Sequence, residues 1–165
     1  MKKIIVIGCP GSGKTTFAQK LAKRLSLPLF YLDAIWHKAD RTHIAREEFD
    51  GRLTEILNMD SYVIDGNYSR TLERRILAAD TVFFLDYATR VCLDGAISRI
   101  GKARCDMPWV DYELDPHLRA EIEEFKEKNT PTIYSLLSKH GEGKEIIIFK
   151  NREESENFLL SLGEN

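Results

Sequence analysis

Short apolar runs alternate along this chain with longer segments of helical spacing. Ile4 to Ile7, Leu29 to Leu32, Tyr62 to Ile64, Val82 to Leu85 and Ile146 to Phe149 are unbroken apolar stretches, the signature of strands buried on both faces. Between them, Phe17, Leu21 and Leu25 recur at i, i+4, i+8, and Phe49, Leu53, Ile56 and Leu57 at i, i+4, i+7, i+8, so each set falls on one helix face. Buried strands joined by helical crossovers predict a parallel sheet with right-handed connections and helices on both sides, a three-layer α/β fold.

The alternation breaks between about Arg99 and Glu127. There Asp106, Asp111, Glu113 and Asp115 interleave with Met107, Trp109, Tyr112 and Leu114, which predicts an excursion from the sheet. Asp115-Pro116 then predicts an N-cap with proline at the first helical position, leading into Leu118, Ile122 and Phe125 on one face. Pro131 predicts an interruption before a stretch carrying Ile133, Leu136 and Leu137, which His140-Gly141 closes.

Composition narrows the class. A chain of 165 residues with 43% hydrophobic and 30% charged residues fits one domain with its own core. The net charge of −2 supplies no basic surplus for DNA, RNA or an anionic membrane, so direct nucleic-acid binding is not expected. The opening apolar run is interrupted by Gly8, too soon for a signal peptide, and no later stretch approaches the roughly 20 apolar residues of a membrane span. Cys9, Cys92 and Cys105 are widely spaced and form no C-x-x-C pair, which points to a reducing cytoplasm.

The most informative segment is Gly8-Cys9-Pro10-Gly11-Ser12-Gly13-Lys14-Thr15, a full G-x-x-x-x-G-K-[ST] phosphate loop between an apolar strand and an amphipathic helix. That context turns backbone N–H groups and a helix N-terminus toward an anion. Gly8, Pro10, Gly11, Ser12, Gly13, Lys14, Thr15 and Thr16 are therefore expected to hold a nucleoside triphosphate, ATP or GTP. Lys14 supplies charge at the β- and γ-phosphates, and the Thr15 hydroxyl suits Mg²⁺. Cys9 reads as a small residue in a tight loop.

A P-loop enzyme also needs an acid at a neighbouring strand end to serve the metal. Asp65 and Asp86 both qualify, and Asp65 is preferred because Gly66 leaves room for a substrate beside it. Arg70, Arg99, Arg104 and Arg119 are candidate phosphate clamps, whereas Arg74 and Arg75 read as surface residues. Asp33 follows the second apolar run and so falls at a strand's carboxyl end, where this fold class places ligands. It has two readings, acceptor contact and proton acceptor, or cap of a helix starting near Ala34. Trp36 and His37 would then form an acceptor wall.

These segments together resemble an adenylate-kinase-type P-loop kinase: GCPGSGKTT at 8–16, DGNYSRT at 65–71 and FFLDYATRVCLDGAISR at 83–99. The resemblance implies a five-stranded parallel sheet, an acceptor-side insertion at about 33–60 and a short lid at about 100–118. It also implies Mg²⁺ at Asp65, acceptor phosphate at Arg70 and a lid-base role for Arg99. Tyr31 to Trp36, Val63 to Tyr68 and Arg104 to Met107 are most similar to a small group called DNA topology modulation proteins. The chain departs from adenylate kinases at Leu32 to His37, where they bind AMP, and at Gly95, where they carry an arginine.

The expected activity is thus ATP- and Mg²⁺-dependent phosphoryl transfer to a nucleotide or other small-molecule acceptor by Lys14, Asp33, Arg70 and Arg99, with Thr15 and Asp65 at the metal. The rival readings are a nucleotide-dependent switch and an NTPase that affects DNA topology indirectly. Against a GTPase, Lys150-Asn151-Arg152-Glu153 after the last strand carries no Asn-Lys-x-Asp guanine-reading pattern.

Overall fold

A computed structural model describes residues 1–163. Five strands, β1 (Lys3–Gly8), β2 (Leu29–Tyr31), β3 (Tyr62–Asp65), β4 (Thr81–Leu85) and β5 (Glu145–Phe149), form one parallel sheet in the order β2-β3-β1-β4-β5. All five apolar runs noted in the sequence become strands, except that Leu32 at the end of the second opens a helix. Ile4 to Ile7, Val63, Ile64 and Val82 to Phe84 are fully buried, as a sheet covered on both faces requires.

Helices α1 (Lys14–Leu25), α2 (Leu32–Trp36), α3 (Arg46–Leu57), α4 (Ser69–Ala78), α5 (Thr89–Ile97), α6 (Pro116–Lys128), α7 (Thr130–His140) and α8 (Arg152–Ser161) make the crossovers and outer layers. α1 touches β1, β2, β3 and α8, while α4 touches β1 and α7, and α6 packs between α5 and α7. The result is the expected three-layer α/β architecture. Among the described residues no helix is long and apolar enough to cross a membrane.

Local signals fall where the sequence places them. Asp115 caps α6, its Oδ1 accepting from the backbone N–H groups of His117 and Leu118 at 2.7 and 3.1 Å. The helical path breaks at Asn129, and Pro131 sits in the first turn of α7, where its missing N–H costs no helical bond. The segment between α5 and α6 carries no helix or strand and brings Arg104 and Asp106 beside the loop that joins β1 to α1.

One charged residue overturns its sequence reading. Arg75 is completely buried rather than exposed. Its guanidinium donates to the carbonyls of Gly66 (2.8 Å), Asn67 and Tyr68 (3.1 Å) and to Thr71 Oγ1 (3.3 Å). Helical phase explains the error: in α4, residue 75 shares the inward face with Leu72 and Ile76, and the turn after β3 turns three carbonyls toward it.

Candidate functional site

The phosphate loop joins β1 to α1 along the carboxyl edge of the sheet. Gly11 takes φ 82°, and its Cβ-free face lies against α5: a Cβ there would collide with the Cys92 carbonyl. Gly95 completes the contact, since a Cβ on it would collide with the Gly11 carbonyl. No side chain caps α1, so its first N–H groups are left to a ligand. Asn67 bolts the loop to the segment after β3, accepting from Gly8 N (3.0 Å) and donating to Gly8 O (2.5 Å).

Two clefts flank the loop. The first, about 480 Å³, is lined by Gly11 to Thr16 together with Ser98, Arg99, Arg104, Asp106, Arg152 and Glu156. The second, about 630 Å³, is lined among others by Pro10, Asp33, Trp36, His37, Arg41, Tyr68 and Trp109. Among the described residues only Lys14, Arg99 and Arg104 line both, so three cations mark the border between the clefts.

Lys14 is 9% exposed and lies at the loop's end, where α1 begins. Asp65, 4% exposed at the end of β3, has an Oδ1 with no hydrogen-bond partner among the described residues. Burial pushes its carboxyl up to about 6, against the pull of Lys14 and of the Thr15 hydroxyl. Ser12 Oγ and Arg99 Nε are likewise buried and unpartnered. Such orphaned groups are rare in folded proteins, and here three of them border the phosphate loop or the cleft junction.

Asp86, the other acid considered for the metal, is committed elsewhere. It accepts from Lys126, from Lys150 (2.6 Å) and from Tyr134 OH (2.9 Å), tying β4 to α6, α7 and the end of β5. Asp33 does not cap α2, whose N-cap is Tyr31. It lies in that helix's first turn, lines the second cleft and accepts from Tyr68 OH at 2.9 Å. Trp36 and His37 line the same cleft.

Arg70 departs from its expected position. Its guanidinium spans both oxygens of Asp50 on α3 (2.9 and 2.7 Å), remains half exposed and lines neither cleft. Tyr68, at φ 26°, lines the second cleft instead, and Arg70 lies on the first turn of α4 with its side chain on Asp50. Arg119 pairs with Glu123 on the exposed side of α6. Asn67, Tyr68 and Asp106 were not singled out as site residues, because amides, phenols and lid carboxylates carry no motif of their own.

No protein-family model matches the chain, and no curated protein matches it either. Solved structures do resemble it. A shikimate kinase from Acinetobacter baumannii in complex with shikimate superposes with a TM-score of 0.63 at 15% identity, covering 98% of this chain and 90% of that one. A shikimate kinase from Bacteroides thetaiotaomicron gives 0.57 at 20% identity, covering 96% and 94%. The fold is shikimate-kinase-like. At these identities the likeness speaks to architecture, and it spans the whole shikimate-kinase-like core rather than the phosphate loop alone.

The raised carboxyl of Asp65 has a measurable consequence for stability. A folded-state value above that of the unfolded chain means the contribution is complete below about pH 4 and is lost as pH rises through about 6. Asp65→Asn is therefore expected to stabilise the ligand-free protein by about 2 kcal/mol at pH 7.5, or about 4–8 °C in Tm, and to have little effect near pH 4. Thermal melts at the two pH values check this; a lower Tm at pH 7.5 would mean that Lys14 outweighs burial.

Proposed function

We propose that this protein transfers the γ-phosphoryl group of ATP to a hydroxyl of a small molecule. The observation that carries the reading is the junction of two clefts at Lys14, Arg99 and Arg104. A donor in the first cleft and an acceptor in the second would meet where those charges converge, and phosphoryl transfer depends mainly on positioning and charge neutralisation. The shikimate-kinase-like fold supports a small-molecule acceptor, since one neighbour is a shikimate kinase in complex with shikimate.

In this reading the loop from Gly8 to Thr16 holds the triphosphate, and Lys14, Arg99 and Arg104 neutralise the group in transit. Asp33 accepts the acceptor's hydroxyl proton as the new O–P bond forms and the bond to the β-phosphate breaks. Tyr68 orients that carboxylate; burial, then Asp33, pushes its phenol pKa up and keeps it a donor. Thr15 and the orphaned Asp65 oxygen suit Mg²⁺. Bound there, the ion would neutralise phosphate charge and align the triphosphate. No cluster of three or more acidic, His or Cys side chains forms a ready-made cage among the described residues, and a P-loop site needs none because phosphate oxygens complete it.

The finer kinship with DNA topology modulation proteins belongs to the same reading. Each segment of that pattern contributes to the clefts: Asp33 and Trp36, then Asn67 and Tyr68, then Arg104 and Met107. An effect on DNA topology would then be indirect, through a phosphorylated small molecule.

Asp33→Asn tests the proposal. Asparagine keeps the size and the Tyr68 contact but is a poor base, so acceptor phosphorylation should fall about a hundredfold while ATP affinity and Tm stay unchanged. The assay is Mg·ATP-dependent ADP release across nucleosides, nucleoside monophosphates and polyols. Unchanged acceptor kinetics in the variant would remove Asp33 from the mechanism, and no acceptor-stimulated turnover in the wild type would sink the proposal itself.

A further inference from the structure

The segment between α5 and α6 reaches back to the phosphate loop through one carboxylate. Asp106 is only 3% exposed although it lies in an irregular stretch of chain. Its Oδ1 accepts from Arg104 Nε (3.0 Å) and its Oδ2 from Arg104 Nη2 (2.6 Å), and Oδ2 also faces the Thr15 hydroxyl at 3.4 Å. The preceding residue is tethered to the same helix face: Gln19, four residues beyond Thr15 on α1, donates to Cys105 Sγ at 2.7 Å.

The hydroxyl expected to meet a divalent cation thus lies between a strand-end acid and a lid acid. Asp65, the strand-end acid, has its buried Oδ1 unpartnered, which marks the spot as incomplete without a ligand. Asp106 is prepared for the same ligand. The two-pronged Arg104 pair fixes its orientation and engages one acceptor position on each oxygen, leaving others open. A triphosphate arriving beside two carboxylates would be repelled unless a cation came with it.

We propose that Asp106 is a lid-borne member of the divalent-cation site, acting with Thr15 and Asp65, so that cation binding fastens the lid onto the phosphate loop. The inference rests on the nucleotide reading of that loop but not on the identity of the acceptor. It assigns the lid two roles from adjacent residues: Arg104 at the junction of the clefts and Asp106 at the cation.

Mn²⁺ and ADP provide a test that needs no turnover. Free Mn²⁺, followed by its electron paramagnetic resonance signal, is titrated against protein saturated with ADP, and ADP binding is measured separately in EDTA. Asp106→Asn is expected to weaken Mn²⁺ binding about tenfold to a hundredfold while ADP affinity in EDTA stays the same or tightens. In the wild type, adding Mn²⁺ to the ADP complex should also slow amide hydrogen exchange across residues 100–115. This second measurement requires no variant, so it decides the matter even if Asp106→Asn folds poorly. Wild-type Mn²⁺ affinity in Asp106→Asn, or lid exchange indifferent to Mn²⁺, overturns the proposal with the nucleotide reading left standing. Failure of the wild type to bind ADP under either condition overturns both.

Discussion

Lys14→Ala should lower Mg·ATP turnover by about a thousandfold or more and leave the fold in place. Removing a single preorganised donor from a charged transition state costs about 10²–10³ in rate, and Lys14 bears a full charge at the junction of the two clefts. The fold survives because a buried charged neighbour of the lysine can adapt. Asp65 is already pushed up to about 6 by burial, and without Lys14 it takes up a proton more readily instead of remaining a buried anion. Steady-state kinetics with the best acceptor, beside far-ultraviolet circular dichroism and a melt of the same preparation, check both halves. Near-normal turnover would remove the phosphate loop from catalysis and with it the kinase reading.

Arg75→Leu should produce the largest loss of stability of any change considered, about 3 kcal/mol or more, which is about 6–12 °C in Tm for a chain of this size. Burial pulls the Arg75 pKa down to about 10, which leaves the group charged at neutral pH and stabilised by the carbonyls of Gly66, Asn67 and Tyr68. Leucine fills part of the volume but takes the donor away from the carbonyls of Gly66 and Asn67, whereas Tyr68 O keeps Thr71. Activity should fall beyond the stability loss, because the same three residues position Asn67 on Gly8 and Tyr68 on Asp33. Arg75→Lys should recover little, since one ammonium cannot span three carbonyls. A melt within about 2 °C of the wild type would show that the turn after β3 holds itself.

What was legible in the sequence was whatever depends on near neighbours in the chain. Continuous apolar runs became strands, and the Asp115-Pro116 cap and the break before Pro131 lie where residue chemistry puts them. The conformation of the phosphate loop was readable for the same reason: its glycines adopt positive φ and run directly into the helix that begins at Lys14. The position of Asp65 was readable because a strand's last residue inherits the strand's direction, which carries it to the carboxyl edge of the sheet.

Contacts between distant segments were decided by the tertiary structure. Helical phase sent Arg75, read as a surface residue, inward, and Arg70, read as a phosphate clamp, outward to Asp50 twenty residues away. Asp86 and Asp65 end adjacent apolar runs in the same manner, and only the arrival of Lys126, Tyr134 and Lys150 from later elements committed Asp86 to packing. Asp33 could equally have been a cap until α2 was seen to begin at Leu32, with Tyr31 at its N-cap. The junction of Lys14, Arg99 and Arg104 and the approach of Asp106 to Thr15 join residues up to 91 positions apart. No local pattern encodes such meetings, because they are set by the order in which the strands assemble and by which helix faces the core demands.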